Sequence, residues 1–190
     1  MNWSEKFVGL KVLGHFLTHP SEEIHLKELG RVLEISPGSA KNYCDDLAAA
    51  GLLRESALGN LRLLRLNRDD FAVRGMMRAY HLFRFKELGI EDLAEGCTSF
   101  AVYGSFATGN FDERSDLDLL VIGEEADVNR DLVLVFQKKV GRSVQLTVLP
   151  YYRWEALKKE GDGFAESVLR DHVLVKGVEL LGSKSASRRA

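Results

Sequence analysis

The chain has 190 residues, 45% of them hydrophobic and 28% charged, with a formal net charge of −2. That is an ordinary globular composition, with enough chain for one large or two small domains. A global basic field is excluded, so any nucleic-acid binding has to come from a local patch. No apolar run is long enough to span a bilayer, and the start Met1-Asn-Trp-Ser-Glu-Lys6 lacks the basic segment and apolar core of a signal peptide. A cytoplasmic protein with no membrane partner is expected. Cys44 and Cys97 stand far apart without metal-ligand spacing, which predicts reduced thiols.

In chain order, Trp3, Phe7, Leu10, Leu13 and Leu17 recur at helical spacing, and His19-Pro20 ends that helix. Ser21-Glu-Glu leads into a short second helix carrying Leu26, Leu29, Val32 and Leu33. Ser36-Pro37 is a start signal, a capping hydroxyl before a proline in the first turn. The third helix sets Ala40, Tyr43, Cys44 and Leu47 on one face and stops at Gly51. Leu52-Leu53-Arg54 and Leu61 to Leu66 predict two strands joined by a turn at Gly59-Asn60. Asp69-Asp70 caps a longer connecting helix, with Phe71, Met76, Met77, Tyr80, Phe83 and Leu88 as apolar contacts.

Gly96 opens the second half. Ser99 to Tyr103 predicts a buried strand and Asp116 to Ile122 another, ended by Gly123. Asp127 to Val140 is helical, with Leu132, Val135, Phe136 and Val140 inward. Ser143 to Leu149 is a third strand, closed by Pro150. Two helical stretches follow, near 153–160 and 162–171, and His172 to Lys176 makes a short last strand. Strands alternating with helices predict an α/β or α+β unit. The polar end, Ser183 to Ala190, predicts a disordered tail. His25 and His81 are expected at the surface or partly buried. The remaining histidines form no cluster in the sequence, so no zinc site is expected.

The chemistry concentrates in Gly104-Ser105-Phe-Ala-Thr108-Gly109 and Ser115-Asp116-Leu117-Asp118. Residues i and i+2 of a strand point to the same face, so Asp116 and Asp118 project side by side while Leu117 and Leu119 face the core. Two carboxylates that close repel, and one pKa rises unless a cation lies between them. Hard oxygen ligands with open positions suit Mg²⁺, which substrate phosphates commonly complete. Gly104 lets the backbone approach a ligand, Ser105 offers a hydroxyl at the start of a short helix, and Gly109 marks a second turn.

Gly104-Ser105, ten residues, then Asp116-Leu-Asp118 resembles the signature of the polymerase-β-like nucleotidyltransferase superfamily, closest to its minimal branch, over about residues 95–180. The resemblance implies a Mg²⁺ (or Mn²⁺) held by Asp116 and Asp118 as catalytic and metal-binding residues. It implies ATP or another NTP held at Gly104, Ser105 and Gly109, and transfer of a nucleoside monophosphate to a hydroxyl. It also implies a third aspartate on a later strand, where this chain has Gln145, and often a basic residue where it has Thr108. Three readings stay open. Another carboxylate, such as Glu155 or Glu166, reaches in; one metal and two aspartates suffice for slow transfer; or the domain binds nucleotide or a partner without turnover.

The order helix, helix, turn, helix, hairpin over about residues 5–68 resembles a winged helix-turn-helix. The resemblance implies base-edge readers at Ser39, Lys41 and Asn42 on the third helix, and phosphate contacts from Arg54 and Arg62 near the wing. Asp45, Asp46 and Glu55 lie on or just after the same helix and oppose this. The expected fold is α+β: a winged helix-turn-helix at 1–68, a connecting helix at 69–94, a small mixed-sheet nucleotidyltransferase-like domain at 95–182 and a tail at 183–190. Two functions remain: a nucleotidyltransferase carrying a DNA-binding domain, or a DNA-binding transcriptional regulator whose second domain senses nucleotide or docks a partner. A protein acceptor and a homodimer are expectations from the resemblance.

Overall fold

The computed structural model describes residues 7–181, and the chain divides into two compact units between His81 and Leu82. The predicted tail at 183–190 and Trp3 of the first predicted helix lie outside the described residues. No helix among the described residues is long and apolar enough to cross a membrane.

The first unit opens with α1 (Val8–Thr18), which buries Val12, Phe16 and Leu17. A two-residue strand β1 (Ile24–His25) follows, too short to leave a periodic signal. His25 then caps α2 (Leu26–Val32), its ring nitrogen accepting the Lys27 N–H at 3.2 Å. Ser36 caps α3 (Pro37–Ala49) as its type predicts, accepting the Ser39 N–H at 3.0 Å. Strands β2 (Leu53–Leu58) and β3 (Leu61–Leu66) form the hairpin, and the sheet runs β1-β3-β2, antiparallel throughout.

Asp70 accepts the N–H groups of Ala72 and Val73 at the start of α4 (Phe71–Glu87). The helix buries Val73, Met77, His81 and Phe85, one residue every four. Phe71, predicted inward, is 80% exposed, and Phe83 is 45% exposed. The buried stripe follows the i, i+4 rows of a helix, and both phenylalanines fall off it. His81 is buried rather than at the surface, with Nδ1 at 3.0 Å from the Met77 carbonyl.

The second unit contains β4 (Ser99–Tyr103), α5 (Gly104–Thr108), β5 (Leu117–Ile122), α6 (Arg130–Val140), β6 (Val144–Leu149), α7 (Tyr151–Glu160), α8 (Gly163–Arg170) and β7 (His172–Gly177). Its sheet order is β6-β5-β4-β7, with β5 and β6 parallel and the other pairs antiparallel. Ala101, Leu120 and Ile122 pack on one face with Trp154, Ala165, Val168 and Leu180. On the other face α5 packs on β4 and β5. There Phe106 stacks on Phe111 at 4.2 Å between centroids, and Phe85 meets the rings of both Phe106 and Phe136. In α6 the buried residues are Val133, Phe136 and Val140, while Leu132 and Val135, predicted inward, are exposed. The helix begins three residues later than predicted, capped by Asn129 through the Leu132 N–H. The whole is a mixed α+β architecture with two small sheets.

Candidate functional site

The antiparallel register of β4 and β5 sets Tyr103 opposite Asp118, so the chain turns at Gly104 directly beside that carboxylate. Gly104 has φ +68°, in the left-handed region that favours glycine. A Cβ placed on it would stand 2.3 Å from Asp118 Oδ2, well inside van der Waals contact. The backbone angle favours glycine, and any larger residue would also push the Asp118 carboxylate from its place. α5 follows for one short turn and ends at Gly109, again left-handed at φ +81°. Leu117 and Leu119 are fully buried and Asp118 is half-buried on the opposite face, as the period-two reading predicts.

Asp116 stands immediately before β5. Burial, and after it the neighbouring charge of Asp116, pushes the Asp118 carboxyl above the usual range. The parallel register of β5 and β6 places Gln145 opposite Asp118. Its amide donates to Asp116 Oδ2 at 2.7 Å. Gln145 thus occupies the place beside the pair where a third carboxylate was expected. Of the two alternative carboxylates, Glu155 is bound to Lys158 at 2.6 Å, which holds it below the usual range. Glu166 lies beside the α7–α8 turn, its Oε1 3.8 Å from where a Cβ on Gly161 would be. The Thr108 hydroxyl donates to the Ser105 carbonyl at 3.0 Å, a local bond that a basic side chain there would not make.

Opposed residues on neighbouring strands share a face, so Gln145, Asp118, Tyr103 and His172 form a row across the end of the sheet. Tyr103 and His172 were missed from sequence, although each continues the period of a predicted strand. The Tyr103 hydroxyl reaches the Thr147 hydroxyl at 3.3 Å, and its ring meets Phe164 edge-on. The His172 ring is fixed at both nitrogens, by the Val168 carbonyl at 2.8 Å and by Glu179 at 2.5 Å. Arg142 was also missed. Its guanidinium donates to the carbonyls of Asp112 and Ser115 and lies 5.3 Å from the centroid of Phe106. The loop feeding Asp116 is further closed by Ser115, which donates to Asp112 at 3.0 Å. Arg142 is thirty residues from Asp112, so no local pattern reveals this tie.

In the first unit, Ser39 is half-buried, and Lys41 and Asn42 are exposed on α3. The charged candidates are all engaged. Lys41 pairs with Asp45 at 2.6 Å and Arg54 with Asp69 at 2.7 Å. Arg62 lies between Asp45 and Glu55, which raises its already high pKa. The expectation that the histidines form no cluster is corrected: His15, His19 and Glu22 bring one ligand atom each to within 4.8 Å of one another. The turn after α1 folds Glu22 back onto the helix end, which spacing alone does not reveal.

Residues 89–175 match the family model described as a nucleotidyltransferase domain. These residues carry the whole Gly104 to Asp118 motif and Gln145. No curated protein matches the chain. Among solved structures, a chain described as a possible transcriptional regulator from Methanosarcina mazei Go1 is 17% identical, over 46% of this chain and 78% of that one, with a TM-score of 0.33. That score is too low to establish a shared fold.

Proposed function

We propose that the second unit is a Mg²⁺-dependent nucleotidyltransferase, moving a nucleoside monophosphate from ATP or another NTP to a hydroxyl acceptor. The carrying observation is the closure of Gly104 onto the Asp118 carboxylate, which joins a small-residue loop to a charged pair at one end of the sheet. Asp116 and Asp118 would hold the Mg²⁺ or Mn²⁺, and the raised Asp118 pKa fits a donor pair whose repulsion a cation relieves. A bound divalent ion supplies neutralisation of phosphate charge and activation of the attacking hydroxyl. Gly104, Ser105 and Gly109 would line the triphosphate, with Ser105 offering its hydroxyl and the start of α5 its free N–H groups. Arg142 holds the Asp112–Ser115 loop and so positions Asp116. Gln145 keeps Asp116 oriented through its amide, and being neutral it supplies no base. This supports slow transfer rather than a fully equipped three-carboxylate centre.

The first unit is read as a winged helix-turn-helix, supported by the order α1, α2, α3 and the β2–β3 hairpin. That supports a second reading, a cytoplasmic DNA-binding regulator whose second unit senses nucleotide. Its readers would be Ser39, Lys41 and Asn42, and its phosphate contacts Arg54 and Arg62, in a homodimer. The Gln145 amide on Asp116 favours this reading, and the ion pairs of Lys41, Arg54 and Arg62 weigh against tight DNA contact.

The deciding experiment is calorimetric titration of ATP with and without Mg²⁺, on the native chain and on Asp118→Asn. Mg²⁺-dependent binding lost in the variant supports the site. Absence of binding in both conditions removes the nucleotidyltransferase reading.

A further inference from the structure

We propose that His15, His19 and Glu22 form a binding site for a divalent transition metal of the zinc class at the end of α1. His15 is buried, at 8% exposure, on the last turn of the helix. Its Nε2 meets Glu22 Oε2 at 3.1 Å as an ion-pair contact, outside good hydrogen-bond geometry, and neither buried atom has another partner. Leaving a ring nitrogen and a carboxylate oxygen buried with only a poorly aligned contact is unfavourable. A cation between an imidazole lone pair and a carboxylate satisfies both at once.

His19 completes the set. Its ring stacks on His15 at 4.7 Å between centroids, inclined by 29°. Its Nδ1 lies 3.0 Å from the His15 carbonyl. The Thr18 hydroxyl is also 3.0 Å from Nδ1; with Nδ1–H donating to the carbonyl, the Nε2 lone pair would be left for a ligand, the usual arrangement of a metal-bound histidine. The backbone holds the three residues in place: the His19 N–H bonds the His15 carbonyl at 2.9 Å, and the Glu22 N–H bonds the His19 carbonyl at 3.2 Å.

Two imidazoles and one carboxylate suit zinc and its first-row neighbours, whereas the all-oxygen pair Asp116 and Asp118 suits Mg²⁺. Three protein ligands leave a fourth position for water or a partner's side chain. A metal here would clamp the end of α1 to the turn that leads into β1.

The test uses the full chain, stripped with a chelator and titrated calorimetrically with Zn²⁺, with Co²⁺ absorption as a second readout. The expected result is one Zn²⁺ per chain and the visible bands of low-coordinate Co²⁺. Each of His19→Ala and Glu22→Gln should weaken binding at least about tenfold. Both residues are more exposed than His15, so these variants should keep their folded circular dichroism. Asp116→Asn should bind Zn²⁺ as the native chain does. Failure to bind, or binding unchanged in His19→Ala and Glu22→Gln, overturns the proposal.

Discussion

Gln145→Asp places a third carboxylate where the β5–β6 register sets position 145 opposite Asp118. Two changes add. The amide bond to Asp116 Oδ2 at 2.7 Å is lost, and such a bond to a charged acceptor contributes about 1 kcal/mol at an exposed position. A negative charge roughly 5 Å from its neighbours adds repulsion of about 1–3 kcal/mol, for an effective dielectric between roughly 20 and 80. The variant without metal should therefore be less stable by about 2–4 kcal/mol, a fall in Tm of roughly 4–16 °C for a chain of this size. Millimolar Mg²⁺ should restore the loss, because the cation neutralises what the substitution added, and the native chain should respond much less. The assay is thermal unfolding at several Mg²⁺ concentrations, paired with label transfer from α-labelled ATP. A Gln145→Asp chain with native Tm and no added response to Mg²⁺ would refute the placement of Gln145 beside the pair.

Four further outcomes are expected. Asp118 has a raised pKa in the folded state, so the folded chain binds its proton more readily than the unfolded chain. The metal-free chain should therefore gain stability from this group as pH falls from neutral through the folded pKa towards the ordinary aspartate value; Asp118→Asn should lose that dependence in unfolding curves. Gly177→Ala should destabilise by about 2–4 kcal/mol. Its φ is +92° and a Cβ would meet the Thr98 carbonyl oxygen at 2.2 Å, a backbone clash that cannot swing away; denaturant unfolding checks this. Arg142→Ala should free the Asp112–Ser115 loop and raise its amide exchange, with ATP affinity falling while the fold persists. The double change Asp45→Asn with Glu55→Gln should release Arg62 and strengthen binding to duplex DNA at low salt, measured by gel shift. No gain there would count against Arg62 as a phosphate contact.

The candidate site was legible in the sequence because its parts are local. A strand alternates faces with period two, so Asp118 on one side and Leu117 and Leu119 on the other follow from spacing alone, while Asp116 stands just before the strand. The caps at Ser36 and Asp70 were equally local, each a side chain bonding an N–H two or three residues on. Helix faces were read less well where apolar residues exceed what one stripe can bury. Phe71 and Val135 are apolar but lie off the stripes that burial selects in α4 and α6.

What only the tertiary structure decided depends on register and on chain reversals. Strand pairing set Gln145 against Asp118 and Tyr103 against both Asp118 and His172, and pairing partners are not neighbours in sequence. The turn after α1 brought Glu22 to His15 and His19. The ion pairs of Lys41, Arg54 and Arg62 showed that a residue's charge does not disclose whether that charge is already neutralised. Sequence carries periodicity and local hydrogen bonding; distances between remote side chains arise only when the sheet and the turns close.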